Sequence, residues 1–249
     1  MEQKRPDIRA IRIQVRPVAE SGANDTLDNL RREYAQIVGV YNAAIREINA
    51  RLQTLDSEFS YRHQHNPIHH IESRVKSLNS IVKKLNDIGA PISISSAKKA
   101  LHDIAGVRVV CCYVDDIYRI AELLLSQDDI SLILEKNYIE RPKPNGYRSL
   151  HIVVDVPVYM SQGKLFIPVE IQIRTVAMDF WATLEHGIRY KSPDEVPQSI
   201  VDELRVCADV ITETDYKMQR IFKTLQQVHD KEDALPEGIA AAGDGEDRL

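Results

Sequence analysis

Two carboxylates in this sequence sit where acidic groups could move a proton or hold a divalent cation. Glu170 lies in Val169-Glu170-Ile171-Gln172-Ile173-Arg174, and Asp103 stands just ahead of Ile104-Ala105-Gly106-Val107. Alternation along the first stretch puts Val169, Ile171 and Ile173 on one side of a strand and Glu170, Gln172 and Arg174 on the other. Taken alone, such a polar row is most simply the wet face of a sheet. Asp103 alone reads equally well as a turn cap or as a ligand for Mg2+, which takes one or two carboxylates plus substrate phosphates. If the two strands are neighbours, Glu170 is the natural second carboxylate.

Cations are gathered in two other stretches. Residues 74–84 hold Arg74, Lys76, Lys83 and Lys84 with no acid among them, and residues 141–148 hold Arg141, Lys143 and Arg148, again with none. The spacing of Val75, Leu78, Ile81, Val82, Leu85 and Ile88 predicts a helix over 75–88 with Lys76, Ser80, Lys83 and Lys84 on its other side. A lysine face is usually just solvated. Here it begins at Arg74, near a helix N-terminus whose free N–H groups favour phosphate. Lysine brings a movable point charge, and arginine a flat fork that binds phosphate or stacks on a base. In Lys143-Pro144-Asn145-Gly146-Tyr147-Arg148-Ser149-Leu150-His151, a turn enters a strand with Tyr147, Ser149 and His151 on one face. A ring beside Lys and Arg can carry a base, although a tyrosine at a sheet edge is also common without function.

The elements that must position these groups can be read from periodicity. A helix is expected over 26–55, a connector over 59–71, and the basic helix ends at Gly89-Ala90-Pro91. Strands are expected over 107–114, 130–139, 149–156 and 164–174, with Gly163 in the last turn and a helix over 117–126. Helices over 175–190, broken at Ser192-Pro193, and over 198–228 close the chain. The organisation is a flexible arm (1–24), a helical extension with connector (25–72), a core domain (73–195), a C-terminal helix (196–229) and a disordered acidic tail (230–249). The class is α+β: a mixed sheet flanked by helices, with helical extensions at both ends.

Composition narrows the partners. A net charge of −5 excludes a chain that is basic throughout, so local basic pockets point to a small polyanion rather than an extended nucleic-acid surface. The longest apolar runs, such as Val107 to Val114 with Arg108 inside it, are too short to cross a bilayer, and Met1 to Arg16 has no signal-peptide core. Cys111, Cys112 and Cys207 form neither a disulfide framework nor a zinc pattern, which fits a reducing cytoplasm.

Taken in order, Arg74-Val75-Lys76-Ser77, Asp103-Ile104-Ala105-Gly106-Val107-Arg108, Gly146-Tyr147-Arg148-Ser149-Leu150-His151 and Glu170-Ile171-Gln172-Ile173-Arg174-Thr175 resemble the synthetase domain of the RelA/SpoT family, in particular its small stand-alone alarmone synthetases. Phe180-Trp181-Ala182-Thr183-Leu184-Glu185-His186 fits the same pattern. Four motifs in register are specific where any one alone is weak. The resemblance implies a nucleotidyltransferase-like fold that moves the β,γ-pyrophosphate of ATP onto the 3′-hydroxyl of GDP or GTP, releasing AMP. It implies that Arg74 and Arg108 sandwich adenine, and that Lys76, Ser80 and Lys84 contact the ATP phosphates. Asp103 holds Mg2+. Lys136, Lys143 and Asn145 attend the GDP or GTP, Tyr147 stacks on guanine, and His151 and Gln172 lie beside it. Glu170 activates the hydroxyl and shares the metal.

The resemblance also implies a homotetramer built through the terminal helices, and synthesis without hydrolysis, since no His-Asp pair precedes Arg74. One branch of the family binds its product in a central cleft. This chain has His70, Glu72 and Asp179 where that branch has an aromatic, a threonine and an asparagine, and the added negative charge predicts weaker product binding. Rival readings are a toxin-like pyrophosphotransferase acting on tRNA or adenosine nucleotides, and a non-catalytic nucleotide or RNA sensor. The histidines at 63, 65, 69 and 70 lack a carboxylate or cysteine at ligand spacing, so metal binding there is not expected.

Overall fold

A long helix, α1 (Ala23–Arg62), lies across one face of a five-stranded mixed sheet. The computed structural model describes residues 23–62, 65–191 and 196–233. Helix α1 earns that place through Ile37, Tyr41, Ile45, Ile48 and Leu52, which recur on one side at helical spacing and are all buried. It runs past the expected end at residue 55 because Phe59 is also buried and carries the Arg119 guanidinium 4.5 Å from its ring centroid.

The chain continues through β1 (Ile68–Val75), α2 (Leu78–Asp87), α3 (Ile94–Ala100), β2 (Ala105–Cys111), α4 (Val114–Leu125), β3 (Ser131–Asn137), β4 (Leu150–Met160), β5 (Gly163–Thr175), α5 (Val176–Lys191) and α6 (Gln198–Asp233). Strand order is β1-β2-β5-β4-β3, with β2 and β5 parallel and the other neighbours antiparallel. Val107, Val109, Ile152, Val154, Val169, Ile171 and Ile173 form the apolar face, packed in one core with α1, α3 and α4. At about 25 cal/mol per Å2 of buried apolar surface, this shared core is the main source of stability. A smaller cluster of Trp181, Ala182 and Ala208 joins α5 to α6, with Tyr147 packed against it.

Several expectations change. Of the connector expected over 59–71, residues 59–62 belong to α1 and residues 68–71 to β1. Residues 74 and 75 end that strand instead of starting a helix, and α2 begins only after Ser77, whose side chain accepts from the Ser80 N–H. Val75 suits the apolar stripe of a helix and the half-buried side of an edge strand equally well, so its spacing did not decide. Arg74 therefore lies on a strand, not at a helix N-terminus. Helix α3 was not expected; Ser93 caps it and its Ile94 and Ala97 are buried. Gly163 is the first residue of β5, at φ 122°, a region where glycine is at ease. Helix α6 continues to Asp233, past the boundary expected at residue 229, and the helix break at Ser192-Pro193 and the rest of the tail lie outside the described residues.

Candidate active site on the polar face of the sheet

Register lines up the chemistry. Directly paired residues on neighbouring strands point the same way, and Glu72, Arg108, Gln172, His151 and Lys136 form one row across all five strands. The next row holds Arg74, Gly106, Glu170 and Val153. Both rows lie on the face opposite Val169, Ile171 and Ile173. Gly106 leaves a gap between Arg74 and Glu170: a Cβ there would meet nothing closer than the Arg74 carbonyl oxygen at 3.8 Å. Over this gap lies a cavity of about 460 Å3 whose lining includes Arg74, Lys76, Asp103, Arg108, Glu170 and Gln172.

On the β1–β2 side the groups are held by ion pairs. Lys76 Nζ and Lys84 Nζ both donate to Asp103 Oδ2, at 2.7 and 2.5 Å. Burial pushes the Asp103 carboxyl up, but its hydrogen bonds and charge pairing with the two lysines outweigh that and hold it below the usual aspartate range. The other oxygen, Oδ1, is buried with no hydrogen-bond partner among the described residues. Arg108 reaches Glu72 at 3.2 Å and lies 3.6 Å from Asp179. Arg108 Nε and Asp179 Oδ1 are also buried without hydrogen-bond partners among the described residues. Buried polar groups are normally satisfied, so a cluster of them at a cavity wall marks a place for a polar ligand.

The β5–β4 side is a hydrogen-bonded relay. Gln172 Nε2 donates to Glu170 Oε2 at 2.9 Å, while its own Oε1 accepts from Arg174 Nη2 at 2.8 Å. Glu170 Oε1 lies 3.3 Å from His151 Nδ1, and His151 Nε2 lies 2.8 Å from the Tyr147 hydroxyl. An ionised carboxylate can only accept. Nδ1 of His151 is thus the donor to Glu170, and in neutral imidazole Nε2 accepts from Tyr147. Burial pushes the Glu170 carboxyl up and Asp103 adds to that, yet the His151 and Gln172 contacts prevail and hold the group below the usual glutamate range. Burial pushes the Tyr147 phenol up, which keeps it a donor.

Tyr147 is placed by its turn. Gly146 has φ 90°, and a Cβ on it would come within 2.6 Å of Ala208 Cβ on α6. Only glycine fits that close approach. Asn145 accepts from the Tyr147 N–H and donates to Glu185 on α5, and Trp181 donates to the Leu204 carbonyl on α6. The terminal helices thereby hold the ring. Lys143 Nζ sits 4.7 Å from the Tyr147 ring centroid and 4.8 Å from that of Tyr138. Burial and neighbouring Lys136 lower the Lys143 ammonium against the pull of Glu170 and Glu185.

Of the expected site residues, Arg74, Lys76, Lys84, Asp103, Arg108, Glu170, Gln172, His151, Tyr147, Lys143 and Lys136 converge on this face. Ser80 does not line the cavity; its hydroxyl pairs with Ser77 Oγ at 2.8 Å at the start of α2. Asn145 spends both ends of its amide on the turn and on Glu185. Arg174 was visible in the alternation of β5 but was not expected to matter. Its side chain is 3% exposed, lies 3.6 Å from Asp179, and its guanidinium sits 5.7 Å from the Tyr147 ring centroid. Tyr138, edge-on to His151 at 5.2 Å, carried no sequence signal. The described histidines disperse: His65 pairs with Asp116 and packs on Phe222, while His70 pairs with Glu72. His63 lies outside the described residues.

Known proteins resemble this chain in sequence and in fold. The family model described as the region found in RelA / SpoT proteins matches residues 73–195. GTP pyrophosphokinase YwaC of Bacillus subtilis is 41% identical over 199 residues, covering 80% of this chain and 95% of that protein. GTP pyrophosphokinase YjbM of the same organism is 32% identical over 196 residues, covering 79% and 92%. Among solved structures, small alarmone synthetase 1 from Bacillus subtilis bound to its product pppGpp has a TM-score of 0.73 at 32% identity, covering 78% of this chain and 99% of that one. Small alarmone synthetase 2 from the same organism has a TM-score of 0.69 at 41% identity, covering 75% and 97%.

Proposed function

This chain belongs to the RelA/SpoT family, and on that premise we propose how its polar sheet face performs alarmone synthesis. The enzyme is a (p)ppGpp synthetase that transfers the β,γ-pyrophosphate of ATP to the 3′-hydroxyl of GDP or GTP and releases AMP. The observation that carries the site assignment is the meeting of Asp103, Lys76, Arg74, Arg108 and Glu170 around one cavity, with Tyr147 joined to Glu170 through His151. We assign the chemistry to residues 73–195, between the two helical extensions.

Arg74 and Arg108 flank the gap at Gly106 and hold adenine there, their planar guanidinium groups suiting a base face. Lys76 and Lys84 leave Asp103 for the ATP phosphates. Glu170, ionised at neutral pH, accepts the 3′-hydroxyl proton as the oxygen bonds to the β-phosphorus of ATP. The bond between the α- and β-phosphates breaks and AMP departs. Tyr147 stacks on guanine once Lys143 swings from its ring to the acceptor's phosphates, where Lys136 joins it. Gln172 and His151 keep the Glu170 carboxylate fixed in one orientation, and positioning of this kind supplies much of the rate in phosphoryl transfer.

The donor set fits magnesium. The unpaired Asp103 Oδ1 and the nearby Glu170 carboxylate are two hard oxygen ligands in one cavity. When bound there, the ion neutralises charge on the transferring phosphates. Three free cysteines support a cytoplasmic setting. Exposed Val176, Phe180, Leu184 and Ile188, spaced by four along α5, support self-association, with a tetramer as the expected form.

The test is direct. The protein is incubated with Mg2+, ATP and, in separate reactions, GDP, GTP, ATP or tRNA, and the products are resolved by chromatography. Formation of ppGpp or pppGpp with stoichiometric AMP is expected; labelling of tRNA alone would overturn the acceptor assignment.

A further inference from the structure

The stretch Ser73-Arg74-Val75-Lys76 presents two side chains to the ATP subsite, yet β1 is an edge strand with a single neighbour, β2. An edge strand has half its hydrogen-bonding groups unpaired and is the least constrained part of a sheet. Lys76 lies beyond the last ladder pair, Val75 with Ala105, and before α2, whose N-cap is Ser77. Its N–H is taken by the Ile104 carbonyl at 2.8 Å. Its carbonyl lies outside both the ladder and the helix.

That carbonyl is taken from a distance. The Tyr34 hydroxyl on α1 donates to it at 2.9 Å. Three residues earlier, Asn49 Nδ2 of the same helix donates to Ser73 Oγ at 3.0 Å. Helix α1 therefore grips the ATP-binding stretch at both ends, while the half-buried Tyr34 ring packs against the main core. Burial pushes the Tyr34 phenol up, so the hydroxyl remains a donor through the working range.

We infer that α1 splints the ATP subsite, with Tyr34 as the positioning residue that sets the direction of Lys76. The inference rests on the assignment of Lys76 to ATP made above. Lys76 must reach the Asp103 oxygen, and then a phosphate, from a backbone with no regular structure of its own. Fixing both of its peptide groups removes the freedom that would otherwise be lost on binding. Both of these bonds end on the ATP-binding stretch, so the effect should be confined to ATP.

Tyr34→Phe removes the hydroxyl and keeps the ring. The full-length variant is expected to show a KM for ATP raised about three- to tenfold, the scale of one lost net hydrogen bond. The KM for GDP and kcat at saturating ATP should stay at the parent values. Calorimetric titration with a non-hydrolysable ATP analogue should show the same loss of affinity. An unchanged KM for ATP, or parallel losses for ATP and GDP with a lowered melting temperature, would overturn the inference and leave Tyr34 as core filler. If the parent chain makes no alarmone, the activity assignment fails instead, and the analogue titration still reads the effect of Tyr34 on its own.

Discussion

The two halves of the polar sheet face hold their functional groups by different means. On the β1–β2 side, Asp103 is bound by two lysines and Arg108 by Glu72, each a charge pair at a partly solvated site. On the β5–β4 side, Glu170 is bound by an imidazole and an amide, and Tyr147 is enclosed by His151, Trp181, Tyr138 and Arg174. Ion pairs of this kind exchange readily, because a phosphate can replace the carboxylate on a lysine at little net cost. A relay with alternating donors and acceptors has only one satisfied arrangement. The donor half can thus rearrange around a triphosphate, whereas in the acceptor half the Glu170–His151–Tyr147 relay is already formed before any ligand arrives and Lys143 alone has to move.

The largest expected effect separates the two carboxylates. Glu170→Gln keeps the shape but cannot take a proton, and kcat should fall about 10²–10⁴-fold while ATP affinity is retained. Asp103→Asn should cost on the order of 10²-fold in kcat, as loss of one oriented electrostatic group does. Unlike Glu170→Gln it should be partly rescued by raised Mg2+, and it should not raise the KM for ATP, because Lys76 and Lys84 are released to the phosphates. Steady-state kinetics across ATP and Mg2+ concentrations checks both. Equal, metal-independent losses would erase the distinction between the halves.

A smaller effect appears in the pH profile. Both carboxyls are held below their ordinary ranges, and the ionised forms are the working ones. Activity should therefore be flat through neutrality and fall only as pH drops through the lowered Glu170 pKa. The folded-state stability that these groups contribute is present above the unfolded pKa and is lost over the same descent. Gln172→Leu deletes one of the contacts lowering Glu170 while burial and Asp103 still oppose ionisation, so the acid limb should move to higher pH. A limb that stays in place would show that the relay does not govern Glu170.

How much of this face could be read from the chain differs between the same halves. From Val169 to Ile173 the period-2 alternation of β5 agrees with burial, so the Glu170 row was legible even before its neighbours were known. The β1 half was less so. Only Ile68 of β1 is buried, since an edge strand with one polar face and one half-covered face needs few apolar residues. Ser77 and Ser93 cap α2 and α3 in the structure, but Val75 fits a helical stripe too well to mark the boundary and α3 is only 7 residues long. Pairwise register was beyond reach, and with it the placing of Arg174 beneath Tyr147 and of Asp179 between two arginines. Side-chain relays depend on which strands are neighbours, and single-strand patterns do not encode that.

The smallest effect uses two glycines that differ in the same way as the halves. At Gly106 an added methyl group would touch only the Arg74 carbonyl oxygen at 3.8 Å, an ordinary contact in an open gap. Gly106→Ala should leave the melting temperature nearly unchanged and raise the KM for ATP, because the methyl occupies the space assigned to adenine. At Gly146 the methyl would collide with Ala208 on α6 at 2.6 Å and would demand a positive φ that alanine resists. Gly146→Ala should cost about 1–3 kcal/mol, or a fall in melting temperature of about 2–10 °C for a chain of this size. Its kinetic trace should be a raised KM for GDP, since the turn that presents Tyr147 is pushed away from α6. Thermal melts paired with two-substrate kinetics on both variants check this. If Gly146→Ala were stable yet poor only toward ATP, the turn would not be the rigid mount of the acceptor ring. If Gly106→Ala were unstable, the gap between Arg74 and Glu170 would belong to packing rather than to a ligand.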